Sequence, residues 1–471
     1  MSTNVAAPPR PASGTNPPAG SPFVALDPGA PIRAELLGAD GLEVRARRLA
    51  TACAATDRSS AESPVLKRFA SNAEALVAAY ARITGEISRD EARGLDTEWL
   101  ADNFHIVQEV LREVKKDLPT GYLVELPKLQ DGPMAGYPRV YALAMLLVAH
   151  GDAGLDEARI DRAVIAFQAV TALTIGELWA VPTMLRLVLL ENLRRLADRM
   201  IRAWNDRRAA ETWEVARERA GGVGSLPKTI SDPFLVRLIQ VSRDAGPKAA
   251  DLLEMVEVRL GRDGDEANEA LRREHRRQAA SQVSVGNSVT SLRLLAALDW
   301  NAFFERTSPV EAALRRDPGR AYAKQDFATR DRDRRAVEAL ARGARTDELN
   351  VAKLAVQLAE SKKGGVGGHV AYYLADAGRP SLEAAVGYTP PWRARLHRAV
   401  LAHAKLSYFG AIAALICLFM GASVYAGVSL SGAGLAGALL MLAALLIPAS
   451  EVAVGLVNHL FTMFLPPSVL P

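Results

Sequence analysis

The sequence predicts an all-α fold: a multi-helix cytoplasmic domain followed by a transmembrane helical hairpin. Three observations predict it. Apolar residues recur at helical spacing from about Ala34 to His403. No stretch alternates with the period of two that a large sheet needs. Leu406 to Ser450, a run of 45 residues, holds no Asp, Glu, Lys, Arg or His. The expected organisation is a tail over 1–33, a first helical domain over 34–220, a second helical region over 221–403 and the hairpin over 404–471.

The tail carries eight prolines, among them Pro8, Pro9, Pro11, Pro17 and Pro18, and few large apolar residues. Such a segment cannot offset its ordering entropy and is expected to be disordered. Ser63-Pro64 then opens a helix over Val65–Ile83, with Leu66, Phe69, Ala73 and Leu76 on one face. Ser88 with Glu91 forms a capping-box pattern. The run Trp99–Lys116 follows, turning Trp99, Phe104, Val107, Val110 and Leu111 inward. Asp117–Gly121 breaks it, and a loop with Pro127, Gly132, Pro133 and Gly136 comes next. Tyr137–His150 and Leu155–Ala172 read as helices. Ile175 begins a long one, with a start or kink expected near Pro182. Gly221–Gly224 reads as a pause between domains. Asp251–Gln282 reads as a helix pair joined near Gly261–Gly264. Asp331–Arg345 and Thr346–Glu360 complete the body, and Gly364–Gly368 reads as a flexible loop.

The uncharged run has room for two crossings, each needing about 20 apolar residues. The first is expected over Leu406–Gly427 and the turn over Val428–Gly434. The second runs from Leu435 toward Val457, interrupted by Pro448 and Glu451. A buried core hairpin is the competing reading. It is disfavoured because mean hydropathy is only +0.04 overall, so the apolarity is concentrated here. Arg393, Arg395, Arg398 and Lys405 precede the first crossing without an intervening acid. Positive flanks favour the cytoplasmic side, so the N-terminal body and both ends of the hairpin are expected there. No secretory leader pattern opens the chain.

Composition excludes several classes. The net charge is +4, from 57 basic and 53 acidic residues, too slim an excess for a nucleic-acid-binding field. Aromatics are 6%, which disfavours a stacking platform for single strands. Cys53 and Cys417 are the two cysteines, so no disulfide framework, thiolate zinc site or iron–sulfur cluster is expected. No phosphate loop, dinucleotide fingerprint, His-Glu-x-x-His or Gly-x-Ser-x-Gly element is present. The seven histidines, among them His105, His150 and His275, lack metal-ligand spacing. Asp263-Gly-Asp265 and Asp331-Arg-Asp333 could hold a metal on a sugar-nucleotide diphosphate. Neither follows a hydrophobic strand, and both read as solvated charge.

Polar and aromatic residues interleave in three segments: Trp99–Val107 with Arg112–Tyr122, Leu173–Pro182, and Asp299–Glu305 with Asp326–Asp331. Glu177, Asp102 and His105 are conceivable acid–base groups there. Such residues more often cap helices and pair with arginine at helix junctions. No catalytic, cofactor-binding or metal-ligating residue is assigned, and no cofactor is expected.

The same segments carry a family resemblance. Trp99–Lys128, with its DNFH, REVKKDLPTGY and LPKL elements, resembles the N-terminal region of cyclic β-1,2-glucan synthases. So do GYPRVYALA (Gly136–Ala144), LTIGELWAVPTMLRL (Leu173–Leu187), ENLRRLA (Glu191–Ala197) and DFATRDR (Asp326–Arg332). Asp333 stands where the family has tyrosine, and Ala371 where glycine is usual. The resemblance implies a bacterial inner-membrane, multi-pass protein. It also implies a system that builds β-1,2-linked glucose chains from UDP-glucose, trims them by phosphorolysis and cyclises them. Those activities belong to a glycosyltransferase domain and phosphorylase-like domains beyond the matching region. No Gln-x-x-Arg-Trp element is present. The chain is therefore expected to be a portion truncated before the glycosyltransferase domain, anchoring, supporting or regulating it, with the membrane and those other parts as partners. Whether it is itself an enzyme stays open. The alternative is an independent membrane-anchored helical scaffold that binds a protein partner.

Overall fold

The structure is a computed structural model. It describes residues 22–24, 29–53, 56–57, 63–87, 95–117, 120–220, 226–227, 229–245, 252, 255–256, 265–362, 364–432 and 434–464. The proline-rich tail up to residue 21, the Ser88–Glu91 box, the Gly221–Gly224 pause and the Gly261–Gly264 joint lie outside these residues.

The described residues are almost wholly helical, as the spacing predicts. Helices α1 (Ala39–Ala52) and α2 (Pro64–Gly85) come first. The α2 cap is Ser63, whose hydroxyl accepts from the Val65 amide, with Pro64 in the first turn. Next are α3 (Leu95–Asp102), α4 (Phe104–Asp117) and α5 (Thr120–Glu125). The expected single run over Trp99–Lys116 is thus divided. The Asn103 side chain donates to the Trp99 carbonyl at 2.8 Å beside the Asn103 backbone amide at 3.3 Å, a local closure at the end of α3. The break turns Trp99 outward, and it is 37% exposed, whereas Phe104, Val107 and Val110 are buried as expected.

Two-residue strands, Thr56–Asp57 and Lys128–Leu129, pair antiparallel. Then come α6 (Arg139–His150), α7 (Glu157–Gln168) and α8 (Ile175–Arg219). Pro138 and the Asp156 cap trim α6 and α7 at their starts relative to the sequence reading. Every residue of α6 is buried, which its sequence explains, being apolar on all sides between Arg139 and His150. Helix α8, 45 residues and so about 68 Å long, is the spine against which α2, α4 and α6 pack. It runs unbroken through Pro182.

After α8 come α9 (Asp232–Ala245), α10 (Asp265–Ala297), α11 (Trp300–Thr307) and α12 (Pro309–Leu314). Helix α10 continues well past the expected end at Gln282, because Val285, Val289, Leu292 and Leu295 bury a further stripe. The body ends with α13 (Phe327–Ala344), α14 (Glu348–Ser361), α15 (Val370–Ala375), α16 (Arg379–Val386) and α17 (Trp392–Ala402). One large core runs from Ile32 to Leu382, and a smaller one joins Ala210 of α8 to Phe234, Leu238 and Ile239 of α9.

The chain closes with α18 (Ala404–Ser431) and α19 (Leu435–Phe464) packed as a hairpin. At about 42 and 45 Å, both exceed a bilayer's hydrocarbon core of about 30 Å. The turn is shorter than Val428–Gly434, since the helix persists to Ser431. Gly432 leaves it at φ 65°, a left-handed conformation that glycine adopts without a Cβ clash. Helix α19 likewise passes Pro448 and Glu451 uninterrupted. Tyr408 donates to Asn458 across the hairpin at 2.8 Å. Ala449, Ala453 and Val457 are buried between the helices, while many large apolar side chains face outward, including Leu406, Leu418, Leu435 and Ile447.

Candidate functional site

Two of the three interleaved polar segments, Leu173–Pro182 and Asp299–Glu305 with Asp326–Asp331, fold into junctions with buried ion pairs. The first is set by α8. Its Thr174 cap and Glu177 satisfy each other's backbone amides in a capping box. This aims the Glu177 carboxylate, wholly buried, at Arg139, the first residue of α6. Arg139 donates from Nε at 2.6 Å and from Nη2 at 2.7 Å, and Nη2 also reaches the Ala172 carbonyl at 2.8 Å. The two bonds between the side chains tie α6 to α8, and the third ties α6 to the segment that leads into α8. Cys53 lies near enough to feel both charges, and burial pushes its thiol up to about 12.

About four turns further along α8, Glu191 accepts from Arg68 of α2 and from Arg195. The Tyr141 hydroxyl of α6 also donates to it, at 3.0 Å. Burial raises the Glu191 carboxyl, but the two guanidinium groups overcome this and hold it near 2, so it stays ionised. Arg195 is 1% exposed and also donates to the Ala30 carbonyl at 3.0 Å.

The second and third segments meet, which their separation in sequence does not reveal. Trp179 stacks on Phe304 with centroids 5.0 Å apart and meets Phe327 edge-on at 6.3 Å. The fully buried Arg334 guanidinium lies over the same two rings, at 4.9 and 4.6 Å. Arg334 donates to Glu311 at 3.0 Å, and Glu311 also accepts from Tyr322 at 2.7 Å and Arg315 at 2.8 Å. Trp179 itself is half-buried at this junction.

Asp102 and His105 are exposed at the break between α3 and α4. The His105 Nδ1 lies 3.2 Å from the Asp102 carbonyl oxygen, a local turn contact. No hydrogen bond among the described residues joins either to Glu177. Asp331 pairs with Arg335 at 2.7 Å on the face of α13, while Asp263 lies outside the described residues. Asp333, next along, is 2% exposed with Oδ2 unpaired, and burial pushes its carboxyl up to about 6. Among the described residues no group of three or more His, Cys, Asp or Glu could hold a metal ion.

A cleft of about 1090 Å³ opens beside the first junction, lined in part by Arg139, Thr174, Arg345, Asp347, Glu348 and Lys353. Charges of both signs share it. Arg139 and Glu348 are already engaged, Glu348 accepting from the Ile175 amide at 2.7 Å. Sequence reading missed Arg68, Arg195 and Arg334 as buried partners. At Arg195 the available signal was an arginine on the apolar face of a helix destined for the core, whereas Arg334, between Asp333 and Arg335, carries no such signal.

No protein-family model matches the chain. The cyclic β-(1,2)-glucan synthase NdvB of Rhizobium meliloti (strain 1021) is 33% identical to it over 422 residues, 86% of this chain. The chain spans 15% of that synthase's length. The two exposed apolar helices and this similarity together point to a membrane protein. The resemblance read from the sequence blocks thus holds over most of the chain, which is a homologue of one segment of a cyclic β-(1,2)-glucan synthase.

Proposed function

We propose that this chain is the helical, membrane-anchoring portion of a cyclic β-1,2-glucan synthase system and transfers no glucose itself. In this reading it sits at the cytoplasmic face of a bacterial inner membrane and holds the glucosyltransferase part there. One observation carries it. Of the acid–base candidates in the synthase-like blocks, Glu177 is spent, like the nearby Glu191, in a buried pair that joins helices, while Asp102 and His105 lie exposed in a local turn contact with no link to it. A group enclosed by two arginines and held ionised is poor at accepting a substrate proton. The cationic flank before α18 supports the cytoplasmic placement of the body.

The test is complementation. A synthase lacking the segment homologous to this chain is expressed alone and together with residues 1–471. Cyclic glucan appearing only in the pair supports the anchoring role. Glucan made equally well without the chain rejects it and favours an independent membrane-anchored scaffold.

A further inference from the structure

Helix α17 is not a continuation of the first span. His403 sits between them at φ −119° and ψ 43°, outside the helical region, so α17 leaves the span at an elbow. At 100° per residue, Trp392, Leu396, Ala399 and Val400 fall within a sector about 100° wide. Trp392 and Leu396 are 65% and 57% exposed. Arg395 and Arg398 lie beyond one side of the stripe and His397 beyond the other, with Leu401 opposite.

The charge around this helix is one-sided. No Asp or Glu occurs from Ala384 to Ser450, while Arg393, Arg395, Arg398 and Lys405 do. The acid before that stretch, Glu383 of α16, is already committed. It accepts from Arg398 at 2.6 and 2.7 Å and from Arg379 at 3.1 Å. That fork fastens α17 to the body at one point. Arg395 and Lys405 are exposed and have no ion pair among the described residues.

We infer that α17 is an interfacial helix that docks on anionic phospholipid at the membrane face from which α18 departs. The inference rests on the hairpin crossing the bilayer. Trp392, Leu396 and Val400 enter the headgroup boundary, where an amphipathic tryptophan is favoured. Arg395 and Lys405 meet lipid phosphates from either side of the elbow. Continuity with the span keeps the elbow at His403 close to the bilayer surface, so lipid is the nearest surface that the exposed stripe of α17 can meet. Glu383 then transmits that fixed level to the helical body through Arg398.

The test uses the full chain in vesicles of phosphatidylcholine, with or without phosphatidylglycerol. An environment-sensitive fluorophore is placed at Leu396→Cys in a Cys417→Ala background. Cys53 is buried with a raised thiol and stays unlabelled. Val366→Cys, exposed on the body, is the reference. Native Cys417 in the parent chain reports on the hairpin. Lipids brominated near the headgroup should quench the label at 396 about twofold more strongly in anionic than in neutral vesicles. Arg395→Gln with Lys405→Gln should abolish that difference. Quenching at 396 no greater than at 366, with Cys417 quenched by deeply brominated lipid, overturns the docking helix and leaves the anchor intact. Quenching at 396 that ignores lipid charge overturns the anionic-lipid assignment. A Cys417 label untouched by deeply brominated lipid overturns the hairpin, and the docking helix with it.

Discussion

Glu177→Ala should be among the most damaging single substitutions in the helical body. Its carboxylate is fully buried and its partner Arg139 is 6% exposed at the side chain. Removing the acid leaves a guanidinium in the core with only the Ala172 carbonyl for company. Breaking a buried pair from one side costs about 3–5 kcal/mol, because the other charge stays buried and unpaired. The capping box at Thr174 goes too, worth about 1 kcal/mol. Replacing both partners, as Glu177→Leu with Arg139→Met, removes the stranded charge and should recover most of the loss. The assay is denaturant unfolding of the detergent-solubilised chain, followed by tryptophan fluorescence, for the parent, both single variants and the double variant. A double variant as unstable as the two singles added together would refute the pairing. A Glu177→Ala chain within about 1 kcal/mol of the parent would refute its structural role altogether.

Other outcomes follow from the same structure. Trp179→Ala should cost about 2–3 kcal/mol, below the range for a fully buried tryptophan, since the indole is only partly buried. An unchanged midpoint would mean that the Phe304 stack contributes nothing. Asp333 titrates higher in the fold than its usual 3.8, at about 6, so its neutral form is the one the fold prefers. Its contribution is most favourable below about pH 4 and is lost as pH rises through about 6, a difference of about 3 kcal/mol. Asp333→Asn should therefore stabilise the chain at pH 7.5 and lose that advantage toward pH 4. A constant gap across that range argues against the buried carboxyl. Ser431→Cys in a Cys417→Ala background should react with an impermeant maleimide in intact cells, whereas reaction only after permeabilisation contradicts the proposed orientation.

Local features of the fold were legible because their causes are local. Ser63-Pro64 announces α2 through a hydroxyl and a ring that suit a helix start, and the uncharged run announces α18 and α19 through composition alone. The break at Asn103 was not legible. It falls at one polar residue, whose side chain shares the Trp99 carbonyl with its own backbone amide, inside an otherwise regular apolar pattern. Nor was the continuation of α10 beyond Gln282, where Ser284, Ser288 and Ser291 dilute the stripe that Val285, Val289 and Leu292 still bury. At the junctions, Glu177 could be expected to meet an arginine, but periodicity does not say which. Arg139 lies 38 residues away and Arg334 stands over Phe304 from a different helix. Such meetings are decided by how helices cross, which no single-helix pattern encodes.

The proposal that this chain anchors glucan synthesis without performing it is tested most directly with radioactive UDP-glucose. Membranes containing residues 1–471 and no other part of a synthase are incubated with the label, and protein and soluble glucan are counted separately. Neither fraction should exceed membranes lacking the chain. Label bound to the chain, and lost on Asp331→Ala or Glu177→Gln in a protein that still folds, would contradict the account and place a glucosyl-transfer site in the helical body.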